Sequence, residues 1–501
     1  MKPNLHVLSV FVGLLAGVMT GCTNLTPQFQ RPELPVADQF TRQPINKSTS
    51  QTEVSSVDAQ AFSLVGWQQF FNDEVAQQLI TLALANNRDL AIAAANVAEM
   101  KGLYRIQQSE NHPRFTSNLD STVSRPSVNV TGSDEITRQY GAQIGLVSYE
   151  IDFWGRVASL REAALADYFS QIAAQRATRI NVIAETANAY YAWLMAAETL
   201  ALADKTLANR RESLKLIEAR NSVGLASQLD VTQAQIAESS VKSQKANAQR
   251  NLAALSAVLT QLIGKPIDDL LDPTESLATQ VLNLDIPDGL STEVLLGRPD
   301  IIQAEFALKA ANARIGAARA AFFPQINLLG SGGFASASLD NLFESDALTW
   351  SFAPSLRLPL FNQQIDANLS VAEARNQKAV AEYEKVIQTA FAEVYTQLLA
   401  RKALADERQA QQDLVAAEKK RLRLSKARYE AGLASYLPVL EAQQALFAAE
   451  QSLLAIQKDL LSANIMLYKA LGGADQENPS PKKPSQKNAA QAHEAANKAA
   501  K

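Results

Sequence analysis

Ala219-Arg220-Asn221-Ser222-Val223-Gly224-Leu225-Ala226-Ser227 returns later in the chain as Ala427-Arg428-Tyr429-Glu430-Ala431-Gly432-Leu433-Ala434-Ser435. Two more pairs keep nearly the same offset: Asn87-Arg88-Asp89-Leu90 with Arg298-Pro299-Asp300-Ile301, and His112-Pro113-Arg114-Phe115 with Phe323-Pro324-Gln325-Ile326. An offset near ~210 residues is far longer than a solenoid repeat of ~20 to 50, so a whole half of the chain is duplicated. The halves read as residues 64–284 and 285–473.

Each half holds a stretch without Gly or Pro, Arg156 to Val223 and Ile365 to Ala431, dominated by the best helix formers. Ordinary globular helices run ~10 to 14 residues, whereas an unbroken helix over either stretch would reach roughly 100 Å at ~1.5 Å per residue. Leu200, Leu207 and Leu214 stand seven apart, as do Val415, Leu422 and Tyr429. That spacing puts one apolar stripe along each rod and favours side-by-side coiled packing. Gly224 and Gly432 each end a rod with the C-terminal glycine signal and open a returning one.

Between the helices the period changes. Leu348, Trp350, Phe352, Pro354, Leu356 and Leu358 alternate with Thr349, Ser351, Ala353, Ser355 and Arg357, and Phe115, Ser117, Leu119, Ser121 and Val123 alternate with Thr116, Asn118, Asp120 and Thr122. Ile326 and Leu328 alternate with Gln325 and Asn327, while Tyr140 to Ile151 is less regular. This is a strand period. It gives four strands of about ten residues, in hairpins over about 114–151 and 324–359, with loops near Ser124–Arg138 and Ala335–Ala347.

Such strands, with Tyr149, Trp154 and Trp350 near their ends, suit an outer-membrane barrel: apolar side to lipid, polar side to a wet lumen. The other reading is a soluble hairpin lying on the helices. Four strands cannot close a barrel, and open edges are not tolerated in lipid. The smallest barrels have about 8 strands, so two or three chains must share one, and three would supply about 12.

The ends of the 501-residue chain fit export. Lys2, an apolar run from Leu8 to Val18, then Met19-Thr20-Gly21-Cys22 read as a secretory signal over residues 1–21, too short to span a bilayer. Cys22 is the single cysteine and excludes an intrachain disulfide. Its position resembles a bacterial lipobox, with Met19 where Leu is usual and Thr23 after it, which implies diacylglyceryl and N-acyl (palmitate-type) attachment and sorting to the outer membrane. A stray buried cysteine is the plain alternative. Residues 22–63, rich in Pro, Gln, Ser and Thr from Asn24 to Thr52, read as an extended strap, and 474–501 as a tail; both are expected to be weakly ordered.

A hydrophobic fraction of 47% requires a folded body, and a formal charge of −4 with interleaved signs gives nucleic acid no footprint. The three histidines, His6, His112 and His493, form no metal site by local spacing. Gly330-Ser331-Gly332-Gly333 lacks the nucleophile-elbow spacing, and no phosphate-cradling loop is present. No catalytic constellation, metal site or cofactor site emerges, and the chain is not read as an enzyme.

Arg298-Pro299-Asp300, Ala311-Asn312-Ala313-Arg314-Ile315-Gly316 and Ala320-Ala321-Phe322-Phe323-Pro324, with Asp152-Phe153-Trp154-Gly155-Arg156, resemble the outer-membrane factor (TolC-like) family of tripartite efflux systems, in its OprM/NodT-type lipoprotein branch. The resemblance covers nearly all of Gly66 to Gly473; Asn362-Gln363-Gln364 departs from it, replacing a Gly-containing turn. It implies a mixed α/β membrane protein: a homotrimeric 12-stranded β-barrel, four strands per chain, continuous with a long α-helical coiled-coil periplasmic tunnel. It also implies a periplasmic membrane-fusion adaptor, an RND-type inner-membrane transporter and small-molecule export; metal-ion efflux and type I secretion are the alternatives. A structural coiled-coil surface lipoprotein is the rival of another class.

The turns at Gly224 and Gly432 should then form the end farthest from the membrane. Leu437 and Glu441 share a helix face. By resemblance they match hydrophobic and acidic constriction rings, where three carboxylates around one axis would control ion passage. Asp230 and Gln233 are candidates for bonds that hold this tip shut. For Asp230 and Glu441 a solvated helix face is the alternative. At the membrane end, Asp152 can cap a helix, Gly155 allows a sharp change of direction, and Arg156 can meet a headgroup phosphate or a carboxylate.

Overall fold

The computed structural model describes residues 24–40, 65–132, 134–267, 270, 271, 276–282, 284, 286, 287 and 289–473. Cys22, the signal, the later part of the strap and the tail after Gly473 lie outside the described residues.

The described chain builds one plan twice. After α1 (Glu74–Asn86), the first copy runs α2 (Arg88–Ser109), β1 (Phe115–Ser124), β2 (Thr137–Ile151), α3 (Arg156–Ser222) and α4 (Gln228–Ile263). The second runs α5 (Pro299–Ala320), β3 (Gln325–Ser336), β4 (Leu348–Arg357), α6 (Gln363–Glu430) and α7 (Leu437–Ala470). The rods α3 and α6 have 67 and 68 residues, each unbroken because nothing in it forbids the next turn. No helix among the described residues is long and apolar enough to cross a membrane.

The four strands form one antiparallel sheet in the order β1-β2-β3-β4. Residues opposite each other share a face, so the register decides whether the apolar stripes of single strands add up. They do. Leu119, Ala142, Phe334 and Leu348 form one cross-sheet row, and Ser117, Ile144, Gly332 and Trp350 the next. The other face carries Asn118, Gln143, Gly333 and Thr349 in one such row.

The strand β2 has 15 residues instead of the expected ten or so, and it carries a bulge between Leu146 and Tyr149. One extra residue there returns Tyr149 and Ile151 to the apolar face. Ser148, at φ 36°, takes the strain. The irregular alternation of Tyr140–Ile151 is therefore the signature of the bulge.

The chain divides into two compact units. One comprises the described residues of Met1–Leu34, Ala94–Ala174 and Asp300–Val386, and includes the sheet; the other comprises those of Pro35–Ala93, Gln175–Pro299 and Ile387–Lys501. Both rods contribute residues to each unit.

The weak order expected of the strap does not describe residues 24–40. In the first unit Thr26 and Ser159 share a hydroxyl hydrogen bond of 2.9 Å, and Asn312 Nδ2 donates to the Pro27 carbonyl at 2.8 Å. Arg31 forks onto Glu305 at 2.8 and 3.0 Å. In the second unit Phe40 is buried and stacks on Phe391 at 5.0 Å between centroids. Composition alone misses this because a few polar anchors and one aromatic fix a segment that has no periodicity of its own.

Candidate functional site

In the first unit the sheet is sided. On the apolar face Leu119 is 84% exposed and Trp350 76%, and Phe115, Val123, Ile144, Leu348, Phe352 and Leu356 are exposed too. A face this apolar is not stable against water, and it matches the lipid-facing side of a barrel wall. The opposite face is mostly hydroxyl, amide and glycine, with Asp120, Glu150, Arg357 and the apolar pair Leu329 and Ala353 among them; Ser331 and Ser351 share a 2.8 Å hydrogen bond there. Within the described sheet β1 and β4 are edges, each with a strand on one side only.

The five residues of the barrel-to-helix turn act together. Asp152 accepts from the backbone N–H of Arg156 at 2.7 Å and of Ala158 at 2.8 Å, which caps α3 with a charge at the positive end of its dipole. Gly155 has φ 71°, and a Cβ there would stand 3.0 Å from the Cα of Asn24. Its lack of a side chain serves both the turn and the strap. Arg156 finds a carboxylate: Nε donates to Glu150 at 2.8 Å and Nη2 at 2.5 Å. That hydrogen bond, partly opposed by burial, holds the guanidinium pKa above its ordinary value. Phe153 stands two residues past the end of β2 and donates its N–H to the Ile151 carbonyl at 3.1 Å. Trp154 donates Nε1–H to the Pro324 carbonyl at 3.0 Å and stacks on Phe323, so the turn of the first copy is bonded to the hairpin entrance of the second. At the corresponding turn of the second copy Asn362 Oδ1 accepts from the N–H of Gln364 at 3.0 Å, a side-chain cap in place of a glycine.

In the second unit both rod ends close alike. Gly224 and Gly432 sit at φ 77° and 72°, and the residue after each, Leu225 or Leu433, donates back to Arg220 or Arg428 at 2.8 and 2.9 Å. These are Schellman closures that only glycine adopts without strain. Behind them Ile217, Val231, Ala234, Tyr436 and Val439 form a small apolar core. Full burial of one such aliphatic side chain contributes about 1.5–3 kcal/mol.

The candidate gate residues differ in what they hold. Asp230 closes a capping box on α4: its Oδ2 accepts from the Ser227 N–H at 2.9 Å and Oγ at 2.7 Å, while Ser227 Oγ accepts from the Asp230 N–H. In the second copy the matching position is Pro438, in the first turn of α7. Leu437 opens that helix and is half-exposed. Glu441 lies one turn on, with Arg421 at 3.6 Å, a pair open to solvent on both sides. The sequence reading did not single out Arg421, nor the buried Arg210, which donates to Gln443. Burial lowers the Arg210 pKa and raises that of Tyr436 beside it.

The motif Arg298-Pro299-Asp300 is also explained by its partners. Arg298 is buried and donates to the Ala470 carbonyl and to Glu393, which ties the start of α5 to α7 and α6 within the second unit. Gly472 packs against it.

A family model described as "Outer membrane efflux protein" matches residues 79–265 and 290–473, one segment in each copy of the plan. "Probable efflux pump outer membrane protein TtgC" of Pseudomonas putida is 41% identical over 466 residues, covering 92% of this chain and 94% of its own. "Cation efflux system protein CusC" of Escherichia coli O157:H7 is 36% identical over 464 residues, covering 92% and 98%. Among solved structures, a CusC crystal structure superposes with a TM-score of 0.80 at 35% identity, covering 90% of this chain and 100% of that one. The open state of the Neisseria gonorrhoeae MtrE outer membrane channel gives 0.80 at 36% identity, covering 90% and 98%.

Proposed function

Because the chain belongs to the outer membrane efflux protein family and is the outer-membrane channel component of an efflux pump, a passive duct and not an enzyme, we propose that three copies close one barrel of about 12 strands. The observation that carries this is the sided sheet with two open edges. Lipid tolerates the apolar face but not unpaired edge N–H and C=O groups, so β1 of one copy must meet β4 of the next. The polar faces then line the lumen.

The lipid anchor belongs to the same reading. Asn24 packs on Gly155 at the barrel-to-helix turn. Cys22 stands two residues earlier, a chain reach of at most about 7 Å, so acyl groups on it would enter the leaflet from which the barrel rises. At the other end of α3 and α6, Leu437 and Glu441 would form the constriction, Asp230 and the two glycine turns its frame. A periplasmic adaptor would dock there and connect the duct to an RND-type transporter, which supplies the energy.

The cargo most in keeping with the relatives is drugs, solvents or other small molecules, since TtgC, ArpC and SrpC of Pseudomonas putida are named for efflux, antibiotic efflux and solvent efflux. The likeness to CusC favours a second reading, metal-ion export. Among the described residues no cluster suited to a metal ion accompanies it. Complementing a channel-deficient Gram-negative host tests both: restored tolerance to organic solvents and antibiotics supports the first, and restored tolerance to metal cations alone overturns it.

A further inference from the structure

We propose that a cavity between α3, α6 and α7 in the second unit, with Arg210 at its base, binds a small oxyanion of the phosphate class.

The guanidinium is the reason. Arg210 is 4% exposed, and among the described residues no carboxylate pairs with it; the groups beside it are the neutral amide of Gln443 and the Tyr436 hydroxyl, and its Nε has no acceptor. A buried cation without a counter-charge costs several kcal/mol, which a helix interior does not carry unless something offsets it.

The surroundings supply room and more positive charge. The cavity holds about 170 Å³, against about 30 Å³ for one water in the liquid, so a tetrahedral ion fits with water to spare. Lys205, Lys419 and Lys426 line it with exposed side chains, and Glu450, the one lining acid, is engaged by Lys419 at 3.2 Å. The Gln443 amide group offers a donor beside Arg210. A neighbouring cavity of about 150 Å³ shares Asn209 and Lys426 and includes Tyr436, whose buried hydroxyl lies beside Arg210.

The ion would bridge Arg210 on α3 to Gln443 on α7, two helical turns past Tyr436. Occupancy would fasten the start of α7 to α3 and couple anion concentration to the stability of this end. Burial lowers the pKa of Arg210, in the direction expected of a site that lacks its anion.

The test is titration of the detergent-purified full chain with sodium phosphate at fixed ionic strength, followed by calorimetry and by thermal unfolding. The expected result is saturable binding at one site per chain, with a rise in the unfolding temperature. Arg210→Met should weaken that binding at least about tenfold, as loss of a charge-assisted hydrogen bond requires. Arg210→Met also removes an uncompensated charge and should fold in phosphate-free buffer. Lys205→Gln with Lys426→Gln alters only exposed positions and should weaken phosphate binding by a smaller factor. No saturable binding by the natural chain, as when a carboxylate of a neighbouring copy fills the cavity, overturns the proposal. So does binding that Arg210→Met leaves unchanged.

Discussion

Arginine introduced at Phe352 should prevent assembly in the membrane, whereas arginine at the adjacent Ser351 should be tolerated. Phe352 is 61% exposed on the apolar face and lies opposite Gly330, so no neighbouring side chain on β3 could receive a guanidinium. On the lipid side of a barrel an arginine costs about 2–4 kcal/mol at mid-depth. Three copies in one wall multiply this to ~6–12 kcal/mol, as large as the whole stability of many folded proteins. Ser351 points to the other face, and its replacement loses one exposed hydrogen bond to Ser331, worth about 0.5–1.5 kcal/mol. The assay is the amount of heat-resistant oligomer in the outer-membrane fraction after extraction in mild detergent. Little oligomer is expected from Phe352→Arg and near-normal amounts from Ser351→Arg. Equal tolerance of both, or the reverse order, would refute the assignment of faces.

Gly316→Ala places a Cβ 2.7 Å from the Cα of Thr26 and 2.8 Å from Ser159 Oγ, so the strap must shift at a cost of about 1–3 kcal/mol. Amide exchange over residues 24–34 should then rise about 5- to 150-fold, and an unchanged rate would show that the strap is not held there. Glu305 is buried, which alone would raise its pKa, but hydrogen bonds and charge from Lys309 and Arg31 outweigh this and hold it below the usual carboxylate value. A lowered folded-state pKa stabilises above the unfolded value and is lost as pH falls through the folded one. Glu305→Gln should therefore flatten the acid side of the unfolding-temperature profile, and a profile of unchanged shape would contradict the pairing. Glu441→Ala should reduce preference for cations in planar bilayers; unaltered ion selectivity would remove Glu441 from the constriction.

What could be read in the sequence was whatever depends on near neighbours. Leu348 to Leu358 declares its strand because each residue's face follows from the one before, and Gly224 and Gly432 declare their turns because φ near 70° excludes most other residues. Ser227 and Asp230 stand at capping-box spacing, so the local role of that carboxylate was also open to view, beside the tip bond and the solvated helix face considered for it. The bulge in β2 hides the alternation, since one inserted residue reverses every face after it. The strap anchors Arg31 and Asn312, and the buried Arg210, depend on partners far along the chain: Glu305, Pro27 and Gln443. An arginine on a helix is ordinarily solvated, and nothing within a few residues of Arg210 announces otherwise.

The central claim is that one chain supplies only part of a membrane-spanning wall. Native mass spectrometry of the protein released from outer membranes in mild detergent tests it most directly. The account predicts a complex of three chains that collapses to single chains on heating. A homogeneous single chain, released and stable in that state, would contradict it.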